Sequence, residues 1–313
     1  MRIIFIGTGE IGLPALHALT KVPEHHVLAV ITQPDRPVGR QLKLAASPIK
    51  EAAFKLHLKI FQPEKIGSAA SVAQLKYLKP DLIVVAAYGQ ILTREILHLP
   101  KFGCLNIHAS LLPKYRGASP IHAAVAAGEK QSGVTIMWMD EGLDTGDILL
   151  QEKVTLRRHE TAESLHERLA KLGADALLKA IPMVETGDAP RIKQDKSLAT
   201  VTKKLSKEDG HIKWDRPQLE IDAHIRAMTH WPSAYAWIPQ ENDHKMLKIF
   251  STIVSRRAKG KPGEVLRIDR HGILVAAKVG GLLLREVQLE GKKRMSAAEF
   301  VRGFNLPVGL VLE

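Results

Sequence analysis

The chain has 313 residues, 45 Lys+Arg against 33 Asp+Glu, 45% apolar residues and one cysteine. That length and apolar content suit one large domain or two ordinary ones and exclude a mainly disordered chain. The single thiol, Cys104, excludes an internal disulfide framework and any multi-cysteine zinc site. No apolar run reaches the ~18 residues a membrane span requires. The apolar run Ile3–Ile6 follows Met1 too closely for a secretory leader, so a cytoplasmic protein is expected.

In chain order, strand-like runs at 2–6, 27–32, 81–87 and 102–107 alternate with helix-like stretches near 11–20, 47–57 and 68–78. Asp81–Ala87 is almost continuously apolar from its second residue, as a parallel strand covered on both faces should be. The pattern predicts a doubly wound, mostly parallel, Rossmann-like α/β sheet, with any site beyond the carboxyl ends of its strands. Two more strand-like runs flank an acidic segment at 140–147. Residues 161–180 read as an amphipathic helix with Leu165, Leu169, Leu172 and Leu177 on its buried side. The domain so defined is expected to span 1–189, followed by a polar linker at 190–206. From 207 to 313 a helix-like stretch at 217–228 precedes five short strand candidates, at 234–238, 245–254, 263–268, 272–277 and 281–289. That spacing suggests a small OB-like β-barrel.

The net charge is +12, and it is unevenly spread: residues 201–313 hold 20 Lys+Arg and 13 Asp+Glu, residues 1–200 hold 25 and 20. Such an excess in the smaller domain suits a polyanionic partner. Gly7-Thr8-Gly9-Glu10-Ile11-Gly12 matches the dinucleotide-binding glycine pattern, with Asp35 at roughly the distance of a ribose-binding acid. Asp35 lies, however, inside the proline-constrained Gln33–Pro37 loop. The competing explanation is that the glycines admit close packing of the first helix.

Chemistry concentrates further on. Asn106 and His108 are two residues apart at a strand end, so they share a face and point toward the expected crevice. An amide donor beside an imidazole suits acyl transfer, the first for an oxyanion and the second for a proton. A carboxylate of Asp140–Asp147 is available to orient the histidine. The same segment lacks calcium-loop spacing, because Gly142 and Thr145 stand where a ligand and the turn glycine belong.

Taken together, Asn106-x-His108, Ser110-Leu111-Leu112-Pro113-x-x-Arg116-Gly117-x-x-Pro120-Ile121 and Asp140-x-Gly142-x-Asp144-Thr145-Gly146 resemble the 10-formyltetrahydrofolate-dependent formyltransferases. Gln33–Arg40 with Ser47-Pro48-x-Lys50, and Leu205–Asp209 with Ile212 and Trp214, are most similar to members that formylate methionine carried on initiator tRNA. Three departures are Gly9, where proline is frequent, Ala109, where glycine is usual, and Thr229-His230 before Trp231-Pro232, where Asn-Pro is common. The resemblance implies Asn106, His108 and Asp144 as catalytic residues and 10-formyltetrahydrofolate as co-substrate, with no metal. It places folate along Ser110, Leu111, Leu112 and Pro113 and along Tyr88, Gly89, Gln90, Ile91 and Leu92, with Asp140 nearby; Ile91 and Leu92 are expected to flank the pterin. For methionyl initiator tRNA it implies the loop bearing Arg36, Arg40, Lys43 and Lys50. Two C-terminal clusters, Arg256, Arg257, Lys259 and Lys261 with Lys292, Lys293 and Arg294, are expected on phosphates. No membrane contact and a monomer are expected. Three alternatives stay open at this point: a formyltransferase with a small amino acceptor, a basic binding module without catalysis, and a nicotinamide-dependent dehydrogenase.

Overall fold

The computed structural model describes residues 1–38, 43–241 and 243–313. The chain divides into two compact units. One comprises Met1–Pro120, Gln131–Thr155 and His166–Lys203, the other Ile121–Lys130, Leu156–Leu165 and Lys204–Glu313.

In the first unit the elements are β1 (Arg2–Gly7), α1 (Leu13–Lys21), β2 (His26–Ile31), β3 (Arg36–Val38), β4 (Lys43–Ala45), α2 (Pro48–Lys55), β5 (Ile60–Phe61), α3 (Ala69–Leu78) and β6 (Leu82–Ala86). They continue with α4 (Arg94–Leu97), β7 (Cys104–His108), β8 (Arg116–Gly117), α5 (Pro120–Ala126), β9 (Gln131–Trp138), β10 (Ile148–Thr155), α6 (Ala162–Thr186) and β11 (Val201–Thr202). All of α5 after Pro120 and the first four residues of α6 belong instead to the second unit. A seven-stranded sheet runs β10-β9-β7-β6-β1-β2-β5. The five strands from β7 to β5 are parallel, and β9 and β10 extend the sheet antiparallel. Ile3–Ile6 and Leu82–Val85 are buried throughout, which is why these strands carry no polar alternation. The order reverses between β1 and β6, so the loops after β1, β6 and β7 open into one crevice.

Local signals account for several boundaries. Ser47 caps α2 by accepting from the Lys50 amide, with Pro48 in the first turn. Helix α6 extends past the expected 161–180 to Thr186 and takes Pro182 into its interior. The backbone bond lost at proline is offset by burial of Leu165, Leu169, Leu177, Ile181 and Val184, while Leu172 is only half-buried.

The glycine motif is a packing device. A Cβ at Gly7 would lie 2.8 Å from the Ala86 carbonyl oxygen and 2.9 Å from the Phe5 ring, and one at Gly12 3.1 Å from Ala86 Cβ. Asp35 is held by Lys50 Nζ at 2.6 Å and Gln62 Nε2 at 2.8 Å. Gly9 is less demanding, since a Cβ there meets only Ala87 Cβ at an ordinary 3.4 Å.

The second unit contains α7 (Gln218–Ala227), β12 (Ala234–Pro239), β13 (His244–Ser255), β14 (Val265–Asp269), β15 (Gly272–Ala276), β16 (Gly281–Leu289), β17 (Met295–Ser296) and α8 (Ala297–Gly303). Its antiparallel sheet runs β12-β13-β16-β15-β14, with β17 on β16. Period-two burial along β12 hides Ala234, Ala236 and Ile238. Residues 309–313 join the two outer strands. Glu313 exchanges both backbone bonds with Trp237 of β12, Gly309 and Leu310 bond Val265 of β14, and Leu312 bonds Gly263 just before it. A barrel-like closure results without direct β12–β14 pairing among the described residues, and two sheet edges are covered at once.

Substituting Gly7→Ala is expected to lower stability by about 1–3 kcal/mol, because the new methyl meets backbone that cannot rotate away. Thermal unfolding measures this, and an unchanged midpoint would contradict the packing role.

Candidate active site

Strand β7 sends Asn106 and His108 to the same face, two residues apart. Val85 of β6 is the register partner of Asn106, so the loop 87–92 begins just beyond it. On the other side, β9 is antiparallel to β7, and the turn from β9 to β10 brings Asp144 back over the strand end. Asp144 sits at φ 52°, a left-handed conformation. Its carboxylate gathers three partners: Asn106 Nδ2 donates to Oδ1 at 3.3 Å, the Gly117 amide donates to Oδ2 at 2.8 Å, and His108 Nδ1 lies 3.6 Å from Oδ2. His108 is buried, and its Nε2 is 3.0 Å from the Tyr115 carbonyl oxygen. A carbonyl only accepts, so Nε2 carries the hydrogen and Nδ1, facing Asp144, is the nitrogen left to take up a proton.

The segment after β7 is fastened at several points. Ser110 Oγ donates to the Lys114 carbonyl at 2.6 Å. Thr135 Oγ1 donates to the Ser110 carbonyl at 2.7 Å and accepts from the Leu112 amide at 3.1 Å. Gln151 Nε2 donates to the Leu112 carbonyl at 2.9 Å. Ser110 and Leu112 are buried, Leu112 against Met137 and Ile148. Any folate binding along Ser110, Leu111, Leu112 and Pro113 therefore falls mainly to the backbone and to the partly exposed Leu111 and Pro113.

Loop 87–92 is similarly built. Ala87 and Gly89 have positive φ, and the Tyr88 carbonyl accepts from Thr8 Oγ1 and Gln33 Nε2. Gln90 bonds the Ile66 amide, Gln33 and the Glu64 carbonyl. The expectation that Leu92 flanks a ligand is corrected: Leu92 and Tyr88 pack into the core with Ile66, Ile96 and Leu97, while Ile91 is 80% exposed. That apolar surrounding holds Leu92 more strongly than an open crevice would. The buried Tyr88 hydroxyl has no partner among the described residues, and desolvation pushes its pKa up to about 12. Asp140 Oδ1 is committed to its own turn, accepting from the Gly142 amide and Thr145 Oγ1.

The stretch expected to be a bare linker, 190–206, instead laces the site together as far as residue 203. The Pro190 carbonyl accepts from Trp138 Nε1, Ile192 bridges Ile148, and Lys193 pairs with Asp147 at 3.0 Å. Thr200 bonds Pro113, Tyr115 and Arg116, and β11 pairs with β8. Gln194 bonds Arg116, Asp144 and Gly146. Sequence reasoning missed these residues because a strap held by polar side chains has no apolar periodicity.

Of the cations expected on tRNA, Arg40 and the side chain of Lys43 lie outside the described residues. Lys50 is engaged by Asp35, and Arg36 is exposed beside Glu64 at 3.3 Å. Arg256, Arg257, Lys259 and Lys261 are exposed beyond the end of β13, as are Lys292 and Lys293 beyond β16. Because Leu247 pairs with Leu289 and Ser255 with Gly281, the two groups lie at opposite ends of the β13–β16 ribbon, about 27 Å apart along it. Arg294 is partly committed to Glu286 and to the Phe250 ring. Among the described residues no cluster of three His, Cys, Asp or Glu is placed to hold a metal, and no helix is long and apolar enough to cross a membrane.

The formyl transferase pattern matches residues 1–181, and the pattern of that family's C-terminal domain matches residues 204–305. The chain belongs to the formyl transferase family. It is 55% identical over 313 residues to methionyl-tRNA formyltransferase of Methylacidiphilum infernorum (isolate V4), covering 100% of this chain and 98% of the relative. Among solved structures of the same fold is the N-formyltransferase of Helicobacter canadensis complexed with folinic acid and dTDP-3-aminofucose (TM-score 0.66, 20% identity, 90% of this chain and 97% of that one). HypX of Aquifex aeolicus, complexed with tetrahydrofolic acid, is another (TM-score 0.65, 20% identity, 98% of this chain); this chain spans about half its length, 48%.

Cys104, on the same strand as the candidate catalytic pair, is buried, which pushes its pKa up to about 12. The folded protein is therefore expected to resist a thiol-alkylating reagent at neutral pH and to react fully once denatured. Rapid labelling of the folded chain, followed by mass spectrometry, would contradict that burial.

Proposed function

We propose that the chain transfers the formyl group of 10-formyltetrahydrofolate to the α-amine of methionine esterified to initiator tRNA. The observation that carries this reading is the convergence of Asn106, His108 and the Gly117 amide on one carboxylate, Asp144, at a strand end of a chain in this family.

The α-nitrogen attacks the formyl carbon, forming a new C–N bond and a tetrahedral oxyanion. Asn106 gives one amide hydrogen to Asp144 and keeps the other for the oxyanion. His108, with Nε2 occupied by Tyr115, takes the amine proton at Nδ1, where Asp144 stands ready to stabilise the imidazolium. Collapse breaks the bond between the formyl carbon and N10 of the folate, and the proton passes to N10. No change in oxidation state occurs, so no redox partner is needed.

The folate fits the crevice beside Asn106, between loop 87–92 with its exposed Ile91 and the backbone of 110–113. The tRNA reading draws support from the exposed cations of the second unit, for which a small amino acceptor offers no use. Catalysis is assigned to 1–189 together with the strap at 190–203, and tRNA binding to 207–313. All three catalytic groups come from one chain, so a monomer suffices, and a role in translation belongs in the cytoplasm.

With purified protein, 10-formyltetrahydrofolate and methionyl initiator tRNA, Asn106→Ala and His108→Ala are each expected to lower kcat by about 100–1000-fold. Wild-type turnover in either variant would refute the assignment. The double substitution Arg256→Ala with Arg257→Ala is expected to raise KM for the aminoacyl-tRNA and leave that for folate unchanged. It should also make the salt dependence shallower, by about one unit of log slope for each phosphate no longer neutralised. An unchanged salt slope would remove that cluster from the tRNA surface.

A further inference from the structure

We propose that Gln194 is a positioning residue for formyl transfer, acting on Asp144 through the backbone without touching either substrate; this rests on the catalytic reading of Asp144 above.

Asp144 occupies a left-handed conformation at φ 52°, which aspartate enters more readily than most residues but which local hydrogen bonds must still hold in place. The Gln194 carboxamide supplies that restraint. Its Nε2 donates to the carbonyls of Asp144 at 2.9 Å and Gly146 at 2.7 Å, spanning the turn on both sides of Thr145. Its Oε1 accepts from Arg116 Nε at 3.1 Å and Nη2 at 2.8 Å. A neutral amide alone among side chains of this size presents an acceptor to a cation at one end and two hydrogens to carbonyls at the other.

The bonds close into a ring. Gln194 grips the backbone of Asp144; Arg116, gripped by the same amide, precedes Gly117; and the Gly117 amide donates to Asp144 Oδ2. One side chain thus sets both the carboxylate and a donor that meets it. The turn has no slack on its far side, where a Cβ at Gly146 would fall 1.8 Å from the Trp138 carbonyl oxygen. Ile192 and Lys193, bound to Ile148 and Asp147, anchor the strap just before Gln194.

Glutamate at this position keeps the acceptor for Arg116 but sets an anionic oxygen against two carbonyl oxygens. Alanine leaves both carbonyls and the buried Arg116 guanidinium without this partner. The test is a cycle in which Gln194→Ala and Gln194→Glu are each made in the parent chain and in Asp144→Ala, with kcat, both KM values and the unfolding midpoint measured. In the parent chain each substitution is expected to lower kcat by about 10–100-fold, the scale of a misplaced catalytic group, with both KM values little changed. In Asp144→Ala the same substitutions are expected to cost nothing further, because the group they position is gone. Parent-like kcat in both Gln194 variants overturns the proposal, as does an equal loss in both backgrounds, which marks a general structural effect. Should Gln194→Ala fail to fold, the equally sized Gln194→Glu decides alone. Full turnover in Asp144→Ala by itself would sink the underlying catalytic reading instead.

Discussion

A carboxylate at the turn between β9 and β10 is the point on which the site depends. Asp144 receives an amide hydrogen from Asn106, a backbone hydrogen from Gly117 and the flank of His108, three groups on two different segments. None of those segments would hold its partner in place alone. Strand β7 fixes the spacing of Asn106 and His108, but the ring nitrogen that faces Asp144 is selected by the Tyr115 carbonyl on the following loop. Tautomer, carboxylate and the proposed oxyanion donor are thus set by separate parts of the backbone meeting at one place.

The wound sheet makes that meeting possible. Parallel strands buried on both faces give a rigid row of carboxyl ends, and the reversal of order between β1 and β6 opens the crevice. The antiparallel pair β9–β10 is a departure from a purely parallel design with a clear use. Running against β7, β9 ends beside the amino end of that strand, with Trp138 opposite Leu105, and segment 139–147 then folds back along β7 far enough for Asp144 to reach Asn106 and His108.

Much of this could be read from residues alone. The apolar runs at 2–6 and 81–87 located β1 and β6, and the Asn-x-His spacing located a shared face, because period-two geometry is strictly local. Residue types alone offered some carboxylate within 140–147, the resemblance singled out Asp144, and the fold shows Asp144 reaching the pair while Asp140 closes its own turn. Helix α8 was overlooked although Ser296 and Glu299 form a reciprocal cap, a short signal beside a barrel pattern. The strap at 190–203 was illegible for a deeper reason. Its register comes from polar bonds to residues 44 to 86 positions earlier, which no local pattern encodes.

That separation has a consequence for how the enzyme comes into being on the ribosome. A nascent chain that has emerged through β10 possesses every strand of the first sheet and every side chain assigned to chemistry. It still lacks the segment from Pro190 to Thr202 that restrains the β9–β10 turn. The scaffold is then available for domain-wise folding during synthesis, whereas geometry competent for turnover waits for roughly fifty more codons. Activity should accordingly lag behind compaction in a chain arrested between those two points.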